Sequence, residues 1–285
     1  DRTVVAVVGH LNSAATLAAA EVYNEAGLVA VSPASSSPRI TEAGDWTFRV
    51  CPSDLQHGPA LARWIRSELN KRRVTVLYAN EEYGRGVLGA FASAFEQEGG
   101  TILSRDPYLT EIIETETVID PYIERAMRGN MEALVIAGMA DGAIKVIRAA
   151  RRLGFTGPIV GADGLSGVEA AGAVAEGVYF SAAFLADRGT TAAREFVRNY
   201  EQRFNERPDA WGAMTYDAIR LLARAIDEVG TDRAAIRDYL AGVGTKYPAF
   251  EGVTGTIAFD ENGDVVDRDV AIGVVRRGRV VSAGS

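Results

Sequence analysis

The stretch that decides the fold is Val4-Val5-Ala6-Val7-Val8-Gly9-His10-Leu11-Asn12-Ser13-Ala14-Ala15-Thr16. Five apolar residues without alternation lead into a glycine, and small hydroxylated residues then open an alanine-rich helical pattern. A continuous apolar run of this kind predicts a strand buried on both faces, as in a parallel sheet. The first N–H groups of the next helix have no partner within it, and the helix dipole adds positive charge there. We therefore expect an anionic group of a ligand to bind near Ser13 and Thr16.

The rest of the chain continues the same alternation of short β-branched runs and longer helical patterns, which predicts an α/β fold with parallel sheets. Turn-forming glycines follow most of the predicted helices, as expected for residues that end a helix in the left-handed conformation. Strands are expected at residues 4–8, 28–32, 74–79, 101–105, 133–137, 158–161, 178–181, 251–259 and 269–276. Helices are expected near residues 14–26, 55–70, 86–98, 118–128 and 143–153, and over most of 190–241.

Length and composition favour two lobes and limit the possible partners. The chain has 285 residues, and domains usually divide beyond about 250 residues. A hydrophobic content of 47% predicts an ordinary globular core, and a formal charge of −8 argues against a nucleic-acid partner. One cysteine excludes an internal disulfide, and two histidines without ligand spacing argue against a metal site. No cofactor is expected, and no G-x-S-x-G elbow suggests a catalytic serine.

One motif would favour an enzyme. The sequence Gly84-Arg85-Gly86-Val87-Leu88-Gly89 is formally a G-x-G-x-x-G that follows a predicted strand and precedes a predicted helix. With Asp106 downstream, it could bind a dinucleotide. However, Asn80-Glu81-Glu82-Tyr83 separates the strand from the glycines, and its two carboxylates would repel a pyrophosphate. The other interpretations are a glycine-rich helix entry and a loop that binds a different ligand.

Several motifs in a fixed order resemble the type I periplasmic binding proteins, in particular the leucine/isoleucine/valine-binding branch of ABC-transporter receptors. The similarity extends from Asp1 to about Gly273. Its motifs are 9–16 (GHLNSAAT), 31–38 (VSPASSSP), 48–54 (FRVCPSD), 82–86 (EYGRG), 160–164 (VGADG) and 215–218 (TYDA).

The resemblance implies an α/β protein of two Rossmann-like lobes with parallel-sheet cores, joined by three crossovers and closing on a ligand. We assign residues 1–52 and 184–258 to the first lobe, and residues 53–183 and 259–285 to the second. The family begins with about two strand–helix units before the equivalent of Val4. The first lobe is therefore expected to be N-terminally truncated in this sequence.

The resemblance also implies ligand-binding residues. Ser13, Ala34, Ser35 and Ser36 match the groups that bind the ligand carboxylate on the first lobe, and Ser35 or Ser36 would also accept part of the ammonium. All of these candidates follow the carboxyl ends of predicted strands, where open α/β sheets bind ligands.

On the second lobe, Tyr83 matches a hinge-side tyrosine, and Asp163 matches the acidic residue that pairs with the α-ammonium. Asp163 is one carbon shorter than the glutamate common there. The loop Gly138-Met139-Ala140-Asp141 carries no bulky aromatic group, so Met139 is expected to form a softer apolar wall.

Other interpretations of these residues stay open. Ser13 and Thr16 can simply cap a helix, Asp163 can be only a turn residue, and Tyr83 can serve only to pack its ring.

The expected function is that of an extracytoplasmic receptor of an ABC importer, not an enzyme, which captures a small zwitterion by lobe closure. A branched-chain amino acid is the favoured ligand, and a membrane permease is the implied partner. The expected location is periplasmic or extracellular, with a lipid anchor as one form. The alternatives are a ligand-sensing domain of a signalling receptor or regulator, and a dinucleotide-dependent enzyme that uses Gly84–Gly89.

Overall fold

The computed structural model describes residues 1, 3–110 and 116–284. The helices in the described part are α1 (Ser13–Ala26), α2 (Asp54–Ser67), α3 (Glu82–Gln97), α4 (Asp120–Arg128), α5 (Ala140–Arg152), α6 (Thr191–Phe204), α7 (Ala210–Val229) and α8 (Arg233–Ala241). The strands are β1 (Ala6–Val8), β2 (Val29–Ser32), β3 (Thr47–Arg49), β4 (Arg73–Ala79), β5 (Thr101–Tyr108), β6 (Ala133–Ala137), β7 (Ile159–Gly161), β8 (Tyr179–Ala182), β9 (Phe250–Gly252), β10 (Gly255–Ile257), β11 (Ala271–Arg276) and β12 (Arg279–Ser282).

The chain divides into two compact units. The first unit is formed by Asp1–Ser53 and Ala186–Asp269, and the second by Asp54–Leu185 and Val270–Ser285. The chain therefore passes between the units three times. Residues 259–269, expected in the second lobe, lie in the first unit, where Arg49 bonds to Asp264 and Arg268 donates to the carbonyl of Val50. The other boundaries shift by one or two residues, with residue 53 in the first unit and residues 184–185 in the second.

The first unit contains a three-stranded parallel sheet in the order β1-β2-β3. The central strand β2 is buried throughout, as its continuous apolar sequence predicts. Helices α1, α7 and α8 contact β2, and an antiparallel pair, β9 and β10, completes the unit. The strand–helix junction at Gly9–Ser13 and the loop after Ser32 leave the carboxyl ends of neighbouring strands.

The second unit contains a seven-stranded sheet in the order β12-β11-β8-β7-β6-β4-β5. Strands β4 to β8 run parallel to one another. Strand β11 runs antiparallel to both of its neighbours, β8 and β12. Side chains alternate across this sheet: Val74 and Val76 pack with residues of α2 and α3, while Leu134 and Ile136 pack with residues of α4 and α5. Helices on both faces explain why the central strands β6 and β7 are apolar without interruption and fully buried. The predicted α/β class is confirmed.

The start of one helix, the end of one strand and the presence of a further strand differ notably from the expectation. Helix α3 begins at Glu82 rather than Gly86, so the formal G-x-G-x-x-G lies inside the helix. Strand β5 extends to Tyr108, three residues past the expected end, because β4 pairs with it as far as Ala79. Strand β12 was not predicted, since its four residues pair only with the preceding strand of a hairpin.

Candidate functional site

The loop after β2, residues 33–37 (Pro33-Ala34-Ser35-Ser36-Ser37), is called the serine loop below. Its start is held by the Ser32 hydroxyl, which accepts from the N–H of Ser35 at 2.9 Å and donates to the His10 carbonyl at 2.9 Å. The N–H of Ala34 also approaches this hydroxyl, at 3.3 Å. Sequence reasoning missed Ser32, although a serine that closes an apolar strand is a recognisable signal.

Helix α1 and the serine loop form one surface. Ser13 is the first residue of α1, and its hydroxyl accepts from the N–H of Ser37 at 3.3 Å. The hydroxyls of Thr16 and Ser35 lie 2.7 Å apart, and Thr16 also accepts from the N–H of His10 at 3.2 Å. The structure thus brings Ser13, Thr16 and the serine loop together, with these side chains buried.

The serine hydroxyls of this surface differ in whether they have hydrogen-bond partners within the protein. Ser35 donates to the His10 carbonyl at 3.0 Å, so its hydroxyl already has partners within the protein. The hydroxyl of Ser36 is fully buried and has no hydrogen-bond partner within the described residues. A buried hydroxyl without a partner destabilises the protein unless something bonds to it. Ser36 is therefore the group here that a ligand would satisfy.

In the second unit the structure brings Tyr83 and Asp163 together. Tyr83 is the second residue of α3, which follows β4, and Asp163 comes two residues after β7 ends. The Tyr83 hydroxyl donates to an Asp163 carboxylate oxygen at 2.8 Å and accepts from the N–H of Gly164 at 2.7 Å. Both side chains are buried, so a carboxylate is held within the protein by a neutral donor.

The electrostatics of this pair favour a cation nearby. Burial raises the pKa of Tyr83 well above its ordinary value, and the charges of Asp163 and Asp54 raise it further. The tyrosine therefore stays protonated and donates. A buried carboxylate that accepts from a neutral hydroxyl keeps its negative charge uncompensated by that partner, and a positive group would stabilise it.

The loop after β6, which contains Gly138 and Met139, lies beside Tyr83 and Gly164. A Cβ at Gly164 would lie 2.6 Å from the Tyr83 hydroxyl and 2.7 Å from the Gly138 carbonyl, so these three residues meet closely. Met139 immediately precedes α5, is partly buried and packs against the apolar cluster that contains Tyr83. The structure therefore groups Tyr83, Met139 and Asp163.

Tyr108 is a further residue that sequence reasoning missed, because β5 was expected to end at Arg105. Its hydroxyl is buried without a partner in the described part of the chain, and burial raises its pKa. A Cβ at Gly138 would lie 2.1 Å from this hydroxyl. Tyr108 thus occupies the space behind the Met139 loop, which explains the glycine at position 138.

The structure argues against a phosphate loop at Gly84–Gly89. These residues lie within the first half of α3 rather than in a loop before it. Gly84 is required for packing, because a Cβ there would lie 2.1 Å from the carbonyl oxygen of Ala79 and 2.9 Å from that of Ala137. Gly84 therefore serves helix–sheet contact, and the residue that the helix entry contributes to the candidate site is Tyr83.

The described residues lack two kinds of feature. They contain no group of three or more histidine, cysteine, aspartate or glutamate side chains placed to hold a metal ion. None of their helices combines the length and apolar character that crossing a bilayer requires.

The chain belongs to the periplasmic binding protein family, whose model matches residues 1–279. The resemblance seen in the motifs is thereby confirmed. Among curated relatives, the Leu/Ile/Val-binding protein homolog 1 of Brucella abortus is 26% identical over 261 residues, which are 90% of this chain and 68% of the relative.

Solved structures agree in fold and branch. The leucine binding protein LivK of Thermotoga maritima is 29% identical with a TM-score of 0.91, and the match covers 100% of this chain and 80% of that one. The branched-chain amino acid transporter substrate binding protein LivJ of Streptococcus pneumoniae, solved with isoleucine, is 26% identical with a TM-score of 0.87. That match covers 99% of this chain and 79% of LivJ.

Proposed function

We propose that this protein is the solute-binding receptor of an ABC importer and that it captures a small zwitterionic amino acid, with leucine, isoleucine and valine as the favoured ligands. The observation that carries the proposal is the buried Asp163 carboxylate, held by Tyr83 at the carboxyl edge of the second sheet. Relatives whose names state Leu/Ile/Val binding support the choice of ligand.

The first unit is suited to the ligand's carboxylate. The amino end of α1 and the serine loop offer N–H groups and hydroxyls, and the Asn12 side chain makes no capping hydrogen bond to the helix. Ser13 and Ser36 are the proposed hydroxyl contacts, while Ala34 and Ser35 contribute backbone. An anion is stabilised at such a helix end by the dipole and by the unpaired N–H groups.

The second unit is suited to the ligand's ammonium. Asp163 supplies the charge, and its second carboxylate oxygen is free of the Tyr83 bond. Tyr83 orients the carboxylate, and Met139 supplies apolar surface to the ligand side chain. Because a carboxylate without a nearby positive group is costly when buried, the ammonium gains more there than a neutral amide would.

Capture then depends on closure of the two units on one ligand. Hydrogen bonds to charged groups contribute about 1.5–3 kcal/mol each, so contacts at both ends of a zwitterion stabilise a closed state by several kcal/mol. A ligand that offers only one charged end gains only one set of contacts. Since a ligand shifts an equilibrium only by its differential affinity, the one-ended ligand leaves the protein mainly open.

The partner and location follow from this function. A membrane permease would recognise the closed, ligand-bound form, and the receptor would act outside the cytoplasm, where a lipid anchor would keep it near the permease. The protein is a binding protein and not an enzyme under this proposal. The relatives reported above are named as binding proteins, which supports that reading.

A thermal-shift screen with leucine and its two halves tests the proposal. The probes are leucine, 4-methylpentanoate, which lacks the ammonium, 3-methylbutylamine, which lacks the carboxylate, and NAD as the enzyme alternative. Leucine is expected to raise the midpoint of unfolding, and the other three are not. A shift with NAD alone, or with 4-methylpentanoate as large as with leucine, would reject the zwitterion site.

A further inference from the structure

Arg49 is buried at the end of β3, with 1% of its surface exposed. In the parallel register it lies beside Ser32, the residue from which the serine loop departs. A guanidinium in such a position destabilises the fold unless it is paired and hydrogen-bonded. Its partners therefore indicate what the protein uses it for.

The guanidinium has partners on two sides. On one side, Nη2 donates to Oδ2 of Asp264 at 2.6 Å, and Nε lies 2.6 Å from Oδ1 of the same carboxylate as an ion-pair contact. Thr41 accepts from the same Nη2 at 2.9 Å and donates to Asp264 at 2.6 Å. On the other side, Nη1 donates to the Ser37 carbonyl at 2.8 Å.

The turn that carries Asp264 is held in place by its own hydrogen bonds and by contacts with β3. The Asp260 carboxylate accepts from the N–H groups of Asn262 and Asp264 at 2.9 and 3.0 Å, and the N–H of Arg49 donates to the Gly263 carbonyl at 3.0 Å. A Cβ at Gly263 would lie 2.5 Å from the carbonyl oxygen of Thr47. The turn 260–264 therefore packs tightly on β3 and presents Asp264 to Arg49 in one orientation.

The serine loop is consequently held at both ends. Ser32 fixes its start, and Arg49 fixes the carbonyl of Ser37 at its end. Between these points lies Ser36, whose buried hydroxyl has no partner in the described part of the protein. The guanidinium anchors the carbonyl of Ser37, in the peptide group that follows Ser37, and the backbone position of Ser37 in turn limits where the adjacent Ser36 hydroxyl can point.

We propose that the Arg49–Asp264 pair is a positioning device for ligand binding: it holds the Ser37 carbonyl, and with it the end of the serine loop, so that the adjacent Ser36 meets the ligand carboxylate. Arg49 acts through the serine loop and does not touch the ligand. The proposal rests on the proposed function for the identity of the ligand, but its first consequence, order in the serine loop, exists without any ligand.

The first test measures amide hydrogen exchange of residues 34–37 in the ligand-free protein. Arg49→Lys keeps the charge but cannot engage Asp264 and the Ser37 carbonyl with one fork. Asp264→Asn removes the carboxylate at constant volume and serves as a second variant if Arg49→Lys folds poorly. Exchange in the serine loop is expected to become faster in both variants.

The matched control is Arg268→Lys. Arg268 is also buried in the first unit and donates to the carbonyls of Thr254 and Val50. The Arg268→Lys substitution should lower the stability of the first unit without changing amide exchange in the serine loop. Unchanged exchange in Arg49→Lys and Asp264→Asn, or equal acceleration in Arg268→Lys, would overturn the proposal.

The second test is a double-mutant cycle between Arg49→Lys and Ser36→Ala, with leucine affinity measured by calorimetry. Each single substitution is expected to weaken binding about tenfold, a typical loss for one hydrogen bond to a charged group. If Arg49 acts through Ser36, the double variant loses little more than either single one. Additive losses, about a hundredfold in total, would reject the coupling.

The two proposals fail in different ways. If wild-type protein binds no amino acid while exchange in the serine loop responds to Arg49→Lys, the proposed function fails and the positioning role stands. If wild-type protein binds leucine and Arg49→Lys binds it equally well, the positioning role fails and the proposed function stands.

Discussion

At the scale of single residues, the chemistry of the site depends on what each polar side chain has left to offer. Thr16 and Ser35 bond to each other, whereas the Ser36 hydroxyl has no partner among the residues that the structure describes. Tyr83 links its own element to the Asp163 turn by donating to the carboxylate and accepting from Gly164. A single hydroxyl thus orients the charge and satisfies a buried N–H.

Tyr83→Phe is expected to lower the free energy of unfolding at neutral pH by about 1–3 kcal/mol, because it leaves the Gly164 N–H without its acceptor. Urea denaturation measures this loss. Tyr78→Phe is the control, since Tyr78 lies on the same unit and is only partly buried. An unchanged stability would mean that another acceptor replaces the hydroxyl.

The pKa of Tyr83 also predicts a dependence on pH. Because the pKa is raised in the folded state, the neutral tyrosine's contribution is complete below the unfolded pKa of about 10 and is lost as pH rises toward the folded value. Stability should therefore fall as pH rises above about 10, by up to about 1.4 kcal/mol per pH unit. The free energy of unfolding of Tyr83→Phe should fall less steeply with pH. Parallel curves of this free energy against pH for wild type and variant would contradict the assignment of the effect to Tyr83.

Sequence reasoning could name Tyr83 and Asp163 separately but could not show that they bond to each other. Residue type and position after a strand identify candidates, whereas a hydrogen bond depends on how β4 and β7 are ordered in the sheet. Ser32 and Tyr108 were missed for a related reason, because each is the last residue of a strand and its role is visible only across strands.

At the scale of elements, the glycines of α3 show how a motif can mislead. The pattern G-x-G-x-x-G predicts a phosphate loop only if the glycines precede the helix. Here the helix begins at Glu82, and Gly84 lies where it touches the carbonyls of Ala79 and Ala137. A sequence pattern does not contain that contact, because it depends on how closely the helix approaches β4 and β6.

Two substitutions in α3 separate packing from helix propensity. Gly84→Ala would force a Cβ against backbone and should destabilise the protein by about 2 kcal/mol or more. Gly89→Ala is the matched control, since a Cβ there meets nothing within 4 Å and should stabilise by about 0.5–1 kcal/mol. Chemical denaturation measures the free energy of unfolding of both variants. Stabilisation by both would mean that Gly84 has no packing role.

At the scale of the whole molecule, strand–helix alternation predicted the α/β class because this pattern is local. Length favoured two lobes, and the three crossovers were implied by the family resemblance. The sequence could not predict that residues 259–269 belong to the first unit. That assignment rests on the bond between Arg49 and Asp264, which are far apart in sequence, and on Arg268. Strand order in the second sheet likewise follows from long-range pairing.

Closure gives a prediction for the intact protein in solution. Leucine at saturation should lower the radius of gyration measured by small-angle X-ray scattering, because contacts at both ends of the ligand favour the closed state. 4-Methylpentanoate should leave the radius unchanged, since it lacks the ammonium that Asp163 is proposed to bind. An equal decrease with both compounds would show that the ammonium is not needed for closure.

The central claim is that Asp163 binds the ammonium of an amino acid, and titration calorimetry with leucine tests it most directly. Wild-type protein should bind one leucine with a Kd of about 1 μM or lower, and Asp163→Asn should weaken binding by about a hundredfold while the protein stays folded. Glu98→Gln, which changes an exposed carboxylate of the same unit, should bind as wild type does. Equal leucine affinity in wild type and Asp163→Asn would contradict the account.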